Sequence, residues 1–162
     1  MPEIPEPDYD DPKEVYAFFG LAYYQAAVLE HGVLNLAVAM LAKNVPGIAA
    51  DDVEKLFESF DNQTFGQVIN AAKSKFDIGS ELEADLSDAL KQRNYLAHRF
   101  FIVHAENFKV SSGRRIMIEE LTKILKHLMS VDTRMDEIWM KAWESFGLTK
   151  ELIEKLRQEQ VV

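Results

Sequence analysis

The chain has 162 residues, of which 48% are hydrophobic, so it is long enough and apolar enough for one globular domain with a sizeable core. It contains no cysteine, which excludes disulfides, thiolate zinc sites and a cysteine nucleophile. Its net charge of −9 argues against a protein that coats DNA or RNA through long-range electrostatics.

The N-terminal segment is acidic and rich in proline. Four of the five prolines lie in the first twelve residues, so residues 1–11 are predicted to form a flexible arm rather than a helix. The segment has neither the cations nor the apolar core of a signal peptide, and the most apolar stretch, residues 33–42, is too short to span a bilayer. We therefore expect a cytoplasmic protein that does not associate with a membrane.

Two long segments carry a clear helical pattern, because their apolar residues recur at spacings that alternate between four and three. The first pattern predicts a helix over about residues 15–40, ended by the sequence NVPG at 44–47. After a break at 109–113, the second predicts a helix that starts near Arg114 and stops at Gly147. The two apolar seams are Val15, Phe19, Ala22, Ala26, Leu29, Val33, Leu36 and Met40, and Met117, Leu121, Ile124, Leu128, Val131, Met135, Ile138 and Ala142.

Shorter helices are predicted between these two. Residues 51–60 begin with acidic side chains, which suit the positive end of a helix dipole, and Thr64 can cap a helix over about 65–76. The next helix opens at Ser80, which has the spacing of a capping box with Glu83.

The number and spacing of these helices predict the fold class. Three long helices and several short ones with short connections indicate an all-α antiparallel helical bundle of about four to five main helices. The bundle is predicted to cover residues 12–147, and a charged C-terminal helix, capped by Thr149, is predicted over 148–162.

The helix that opens at Ser80 carries the sequence RNYLAH at residues 93–98. Arg93 occupies a position where the pattern requires an apolar residue, and an unpaired buried charge is very costly. It must therefore be paired, face a cleft or face a second subunit, and Glu30, at the edge of the first helix's apolar face, is its candidate partner. The apolar seam of this helix is Leu82, Leu86, Ala89, then Arg93, then Leu96, Phe100 and Val103.

The three polar residues of this sequence do not share one face of a straight helix. Asn94 and His98 are four apart and lie together, whereas Arg93 and His98 are separated by about 140° at roughly 100° per residue. Three arrangements would bring them to one phosphate: the helix bends, the long arginine wraps round, or two copies of the motif combine across a dimer.

This pattern resembles the signature of the HEPN superfamily, named for higher eukaryote and prokaryote nucleotide-binding domains. The signature is an arginine, four to six residues that often begin with asparagine, and then a histidine, which Arg93, Asn94 and His98 match position by position. The resemblance in fold covers roughly residues 12–146. It implies a HEPN-like bundle that acts as a homodimer with both motifs lining one cleft, in toxin–antitoxin pairs, phage defence or RNA processing.

The resemblance also implies an activity: metal-independent cleavage of single-stranded RNA by attack of the ribose 2′-OH. His98 would act as general base or acid, Arg93 would stabilise the phosphoryl charge, and Asn94 would orient the histidine or the phosphate. Glu30 and Tyr95 would be supporting residues. HEPN toxins that are inactivated by AMP carry a tyrosine where this chain has Phe100, so that modification is not available here.

Other interpretations of the same residues stay open. Arg93 can be a structural ion pair and His98 an interface residue, in which case the protein is a non-catalytic HEPN-like dimeric interaction module or a nucleotide-binding module. Lys91 and Arg99 add positive charge near the motif, whereas Arg114 and Arg115 are interpreted as a solvated pair.

No cofactor is expected from the sequence. There is no Glu-x-x-His and no His-Glu-x-x-His pattern around any of the four histidines, so no metal ligand set is predicted. Besides RNA and a second copy, an antitoxin or another protein is the expected partner.

Overall fold

The computed structural model describes residues 4–42, 50–60, 62–75 and 79–144. Within these ranges the protein is helical and has no strand, which confirms the all-α prediction. The predicted stop at Gly147 and the predicted helix over 148–162 lie outside the described residues. The helices are α1 (Lys13–Ala42), α2 (Ala50–Glu58), α3 (Phe65–Lys75), α4 (Ser80–His98), α5 (Phe100–Val103) and α6 (Ser111–Glu144), with one 3-10 turn at Asn107–Lys109.

Two of the helix starts show where capping was predicted correctly and where it was not. Thr64 caps α3, because its hydroxyl accepts a hydrogen bond from the Gln67 N–H (3.4 Å) while the Gln67 side chain accepts one from the Thr64 N–H (2.7 Å). The capping box predicted at Ser80 was wrong. The cap of α4 is Gly79, with φ +79° and no side-chain hydrogen bond, so Ser80 is already the first helical residue.

The described residues belong to two compact units, and α1 and α6 contribute to both. In the unit formed by Met1–Glu30 and Ile78–Thr133, α4 and α5 run antiparallel to α1. Arg93 lies beside Glu30, while Phe100, later in the chain, contacts Phe19, which is earlier in α1. This unit contains the whole motif and all the residues proposed to support it.

The core of this unit follows most of the predicted seam positions, but in α1 Phe18 is fully buried where the pattern predicted Phe19, which is only partly buried. The buried side chains of this unit come from one face each of α1, α4 and α6 and from Phe100 of α5, and the largest fully buried ones are Phe18, Leu29, Leu86, Phe100, Met117, Ile118, Leu121 and Leu128. The other unit, His31–Asp77 with Arg134–Val162, has its own apolar core, which includes Leu36, Phe65, Ile69 and Met135. Burial of such faces is the main favourable contribution to folding.

Helix α1 is more apolar than its longest uninterrupted apolar run indicated. Taken as a whole, Lys13–Ala42 is long and apolar enough to cross a membrane by length and composition, and 56% of its most apolar window is buried inside the protein. A buried core helix and a membrane-spanning helix both meet this criterion, so the cytoplasmic localisation stays a prediction.

The arginines at the start of α6 contact the N-terminal arm. Arg114 donates hydrogen bonds to the carbonyl oxygens of Tyr9 (3.4 Å) and Asp10 (3.1 Å). The exposed Arg115 places its guanidinium 4.0 Å from the centre of the Tyr9 ring. The pair interpreted as solvated therefore also holds part of the arm.

Candidate functional site

Arg93 is half-buried and points towards α1. The side chains of Arg93 and Glu30 are 30% and 32% exposed, and the shortest distance between a guanidinium nitrogen and a carboxylate oxygen is 4.0 Å. This is a loose, partly solvated ion pair of the kind that contributes little to stability. The guanidinium is thus neither sealed in the core nor tightly neutralised, and it keeps hydrogen-bond donors for another acceptor.

One such donor goes to the next residue of the motif. Nη1 of Arg93 lies 3.3 Å from Oδ1 of Asn94, so the arginine side chain extends sideways along the helix surface to its neighbour. Asn94 shares a helix face with His98, because the two are four residues apart. The hydrogen bond therefore connects Arg93 to the face that carries His98, although no hydrogen bond or ion pair joins Arg93 to His98 itself among the described residues.

His98 is the last residue of α4 and is exposed. Within the part of the chain that the structure describes, its imidazole has no hydrogen bond and no ion pair. The following Arg99 leaves helical geometry (φ −129°, ψ −29°) and is also exposed. The motif therefore ends at a bend with two exposed nitrogen-bearing side chains next to each other.

The bend at Arg99 also changes which residues of the following turn are buried. The continuous seam predicted through Val103 was wrong: Val103 is 55% exposed, and His104 is the buried residue at 4%. Phe100 is fully buried and contacts Phe19 and His104, so the step from one buried position to the next is four residues instead of three. Phe100 is thus a core residue of this unit.

His104 is the centre of a polar network that joins α4, α5 and α6. Its Nδ1 lies 2.9 Å from the amide nitrogen of Asn107, and its Nε2 lies 2.9 Å from a carboxylate oxygen of Glu120. Because the amide nitrogen donates, Nδ1 is assigned as the acceptor and Nε2 as the nitrogen that donates to Glu120. The hydroxyl oxygen of Tyr95 lies 3.3 Å from the same Nε2.

The network also changes the acidity of Tyr95. Burial first, and then a hydrogen bond and the negative charge of Glu120, raise the pKa of the Tyr95 phenol to about 12. The phenol is therefore neutral over the physiological range and acts as a hydrogen-bond partner in this network. Although Tyr95 lies within the sequence RNYLAH, its side chain therefore belongs to the structural network around His104.

The two histidines near the motif have opposite environments. Both ring nitrogens of His104 are occupied by protein partners, whereas His98 is exposed and makes no hydrogen bond to a described residue. Among the residues that the structure describes, no group of three histidine, aspartate or glutamate side chains is arranged to hold a metal ion. Of the two imidazoles, His98 is the one open to an external ligand.

The positive charge around the motif is smaller than the sequence suggested. Lys91 forms an exposed ion pair with Asp88 (2.8 Å), and its hydrogen bond lowers the pKa of that carboxyl below its usual range. Arg99 has no ion pair among the described residues. Arg93 and Arg99 are therefore the two guanidinium groups that remain for an anionic ligand.

The structure contains three functional-site neighbours that the sequence interpretation missed: His104, Asn107 and Glu120. A signal for the first was present, because Leu96, Phe100 and His104 are spaced by four, as on one helix face. The partners of His104 had no comparable signal. Glu120 is sixteen residues away, and only the packing of α6 on the bend brings it near.

We compared the chain with models of protein families, with curated proteins and with solved structures. None of the three comparisons found a match.

Proposed function

We propose that this protein is a metal-independent endoribonuclease of the HEPN type, which cleaves single-stranded RNA by attack of the ribose 2′-OH. The observation that carries the proposal is the arrangement at the end of α4. A half-buried arginine is hydrogen-bonded to Asn94, which shares a helix face with the exposed, unpartnered His98. The role in toxin–antitoxin pairs, phage defence or RNA processing is part of the same proposal.

The chemistry assigns one step to each residue. An imidazole takes the proton of the 2′-OH as its oxygen attacks phosphorus, and the bond from phosphorus to the 5′ oxygen breaks. The 5′ oxygen receives a proton from a protonated imidazole, which leaves a 2′,3′-cyclic phosphate and a free 5′-hydroxyl. Arg93 stabilises the charge that grows on the phosphoryl oxygens, and Asn94 positions its guanidinium.

An open surface supports this chemistry only when a second protein surface encloses the reacting phosphate. Asn94 and His98 are both exposed, so the motif of one copy offers a surface rather than an enclosed pocket. In the proposed homodimer, a second motif provides the opposite wall, and its His98 can divide the base and acid roles with the first. Glu30 serves as a positioning residue for Arg93 in this arrangement.

A non-catalytic dimeric interaction or nucleotide-binding module is the second candidate. Glu30 partly offsets the charge of Arg93, and the net charge of −9 opposes RNA. In this case Arg93 and Arg99 would bind a nucleotide phosphate without turnover. Binding of a nucleotide by a protein that leaves every RNA intact would select this candidate.

The decisive experiment measures cleavage of single-stranded RNA in EDTA by the purified protein. We expect cleavage with 2′,3′-cyclic phosphate ends and no cleavage of DNA of the same sequence, because DNA lacks the 2′-OH nucleophile. His98→Ala and Arg93→Ala should each lower the rate by about a hundredfold or more. Arg93→Lys should recover only part of it, because lysine lacks the planar fork.

The control is Lys126→Ala on α6, an exposed cation far from the motif in the chain, which should cleave at the wild-type rate. Circular dichroism must show that each variant is folded. A wild-type protein that cleaves none of a varied set of RNAs, or a His98→Ala variant with the wild-type rate, would overturn the catalytic proposal.

A further inference from the structure

Helix α1 has an outward face without a charged residue. From Val15 to Leu29 the sequence VYAFFGLAYYQAAVL carries no charge, although part of this stretch faces solvent. The outward face of a helix in a globular protein is normally polar. An apolar outward face is a surface suited to burial. Its exposed residues are Tyr16, Ala17, Gly20, Leu21, Tyr23, Tyr24 and Ala27, and we call this surface the α1 face.

The α1 face continues onto α5. The ring of Phe101 lies 5.7 Å from that of Tyr16 and 4.9 Å from that of Phe19, centre to centre. Next to it, Ile102 and Val103 are 67% and 55% exposed. The apolar surface thus reaches from α1 to within a few residues of His98.

The size of this surface is that of a protein interface. Seven large apolar side chains on α1 and α5 are between 37% and 67% exposed. At about 200 Å² or somewhat less for each, they present roughly 700 Å². A stable complex buries about 800 Å² per partner, whereas the largest apolar patch of a typical monomer is roughly 300–600 Å².

The residues along the centre of the α1 face match those of a second copy. Ala17, Gly20, Tyr24 and Ala27 alternate by three, four and three, so they form one stripe along the helix. When two such stripes meet antiparallel about a twofold axis at position 22, each alanine faces the other alanine and Gly20 faces Tyr24. A Cβ atom at Gly20 would meet nothing within 4 Å, so the glycine leaves a notch for the ring.

We propose that two copies of this chain associate through the α1 face, with the α1 helices antiparallel and Tyr24 of one copy packed over Gly20 of the other. A C2 interface uses the same patch on both subunits and must be self-complementary, as this stripe is. Because the patch is uncharged, two chains of net charge −9 meet there without opposing like charges.

The inference stands without the ribonuclease proposal, since oligomeric state is measured in the absence of RNA. It gives that proposal a definite geometry, because the α5 edge of the interface follows directly after His98 and Arg99. Loss of cleavage in a dimeric protein would count against the ribonuclease alone. A monomeric protein that cleaves RNA would count against the interface and against the two-motif site, and would leave the cleavage reaction itself standing.

Light scattering after size exclusion tests the association. The wild-type protein should be a dimer at micromolar concentration, and Gly20→Glu and Tyr24→Glu should each weaken the dimer at least a hundredfold. Both changes are made at exposed positions, so the circular dichroism spectrum should keep its helical form. The matched control is Ala84→Glu, at an exposed position of α4 outside the α1 face, which should stay dimeric.

A monomeric wild type, or a Gly20→Glu protein that remains dimeric, would overturn the proposal. A wild type that is monomeric in buffer but floats with phosphatidylcholine vesicles would assign the α1 face to lipid instead. Tyr24→Ala provides a second folded variant if the charged substitutions lower expression, and it should also weaken the dimer.

Cross-linking tests the antiparallel register. Since the chain has no cysteine, Ala17→Cys and Ala27→Cys each introduce a single thiol. After the two variants are mixed and allowed to exchange, a short bifunctional thiol reagent should join an Ala17→Cys chain to an Ala27→Cys chain. Neither variant alone should cross-link to itself, because equal positions lie about 15 Å apart along antiparallel helices at 1.5 Å per residue.

The control mixture uses Ala84→Cys in place of Ala27→Cys and should give no cross-linked pair. Efficient cross-linking of Ala17→Cys to itself would show parallel helices and overturn the proposed register. Cross-linking of the Ala84→Cys mixture at the same yield as the test mixture would show random collision and overturn the interface.

Discussion

His98 and His104 lie six residues apart, and their different surroundings give them different roles. His98 ends α4 as an exposed residue without a hydrogen bond to a described residue, while His104 is 4% exposed and bound by three polar side chains. A buried imidazole with satisfied nitrogens fixes its neighbours, whereas an exposed one can exchange protons with a ligand. The environment of each side chain, rather than its chemical type, separates the two roles.

This contrast predicts a clean separation of stability from activity. His104→Ala should lower the free energy of unfolding by about 2–4 kcal/mol, because it removes a buried ring and leaves Asn107 and Glu120 without their partner. His98→Ala should change it by less than about 0.5 kcal/mol, as at other exposed positions. Urea unfolding measures both. A stable His104→Ala protein, or a strongly destabilised His98→Ala protein, would contradict the assignment.

The phenol of Tyr95 predicts a stability change at alkaline pH. Its pKa is about 12 in the folded protein and about 10 in an unfolded chain, so the unfolded state loses the proton first. The stabilisation by the neutral phenol is therefore complete below pH about 10 and decreases as the pH rises towards 12. Urea unfolding of the wild type and Tyr95→Phe at several pH values isolates this contribution.

In that experiment the difference in unfolding free energy between the two proteins should be constant up to pH about 10 and then move in favour of Tyr95→Phe. All other ionisable groups are common to both proteins, so their titration cancels in the difference. Parallel pH profiles throughout would show that the pKa of Tyr95 is not raised in the folded protein.

At the scale of elements, the bend after α4 is held in place from α6. The start of α6 approaches the 3-10 turn so closely that a Cβ atom on Gly113 would lie 2.6 Å from Cα and 2.7 Å from the carbonyl carbon of Asn107. Because these are backbone atoms, the turn itself would have to move. Asn107 in turn supports His104, so a small residue in α6 controls the geometry next to the motif.

Gly113→Ala is therefore expected to lower the free energy of unfolding by about 1–3 kcal/mol, as overpacking a close contact does. It should also displace Asn107 and lower RNA cleavage through the bend. The control is Ser112→Ala at the neighbouring exposed position, which should change stability by less than about 0.5 kcal/mol. Thermal or urea unfolding measures the stability of both variants. Equal stability of the two would contradict the close contact.

At the scale of the whole molecule, the charged residues lie outside the apolar α1 face. The chain carries a net charge of −9, yet the α1 face and the exposed side chains of α5 beside it carry no charge and together have about the area of an interface. A surface of this composition is protected from water when two copies associate. The stability of the folded protein should then depend on protein concentration, since association stabilises only the folded chain.

We expect the Tm of the wild type to rise by about 1–3 °C for each tenfold increase in protein concentration, from mass action on a dimer of this chain length. The Tm of Gly20→Glu should not change over the same range. Calorimetric scans at a fixed rate and several concentrations measure both, and a wild-type Tm that is independent of concentration would argue against dissociation on unfolding.

Much of the architecture could be predicted from the sequence, because it depends on patterns within a few turns. The seams of α1 and α6 and the Thr64 cap follow from spacings of three and four and from local hydrogen bonds. The likeness of Arg93, Asn94 and His98 to a known motif is also a property of the sequence alone. Whether these three residues cleave RNA is a prediction that the proposed experiment tests.

Tertiary structure decided what depends on contacts between distant residues. Burial of Phe100 against Phe19 accompanies the bend at Arg99, and that bend turns Val103 outwards and His104 inwards. Glu120 reaches His104 only because α6 packs there, sixteen residues later in the chain. A periodic pattern specifies which face of a helix is apolar, but it contains no information about which distant polar group will lie opposite. The exposed histidine and the buried one could therefore be told apart only in the folded molecule.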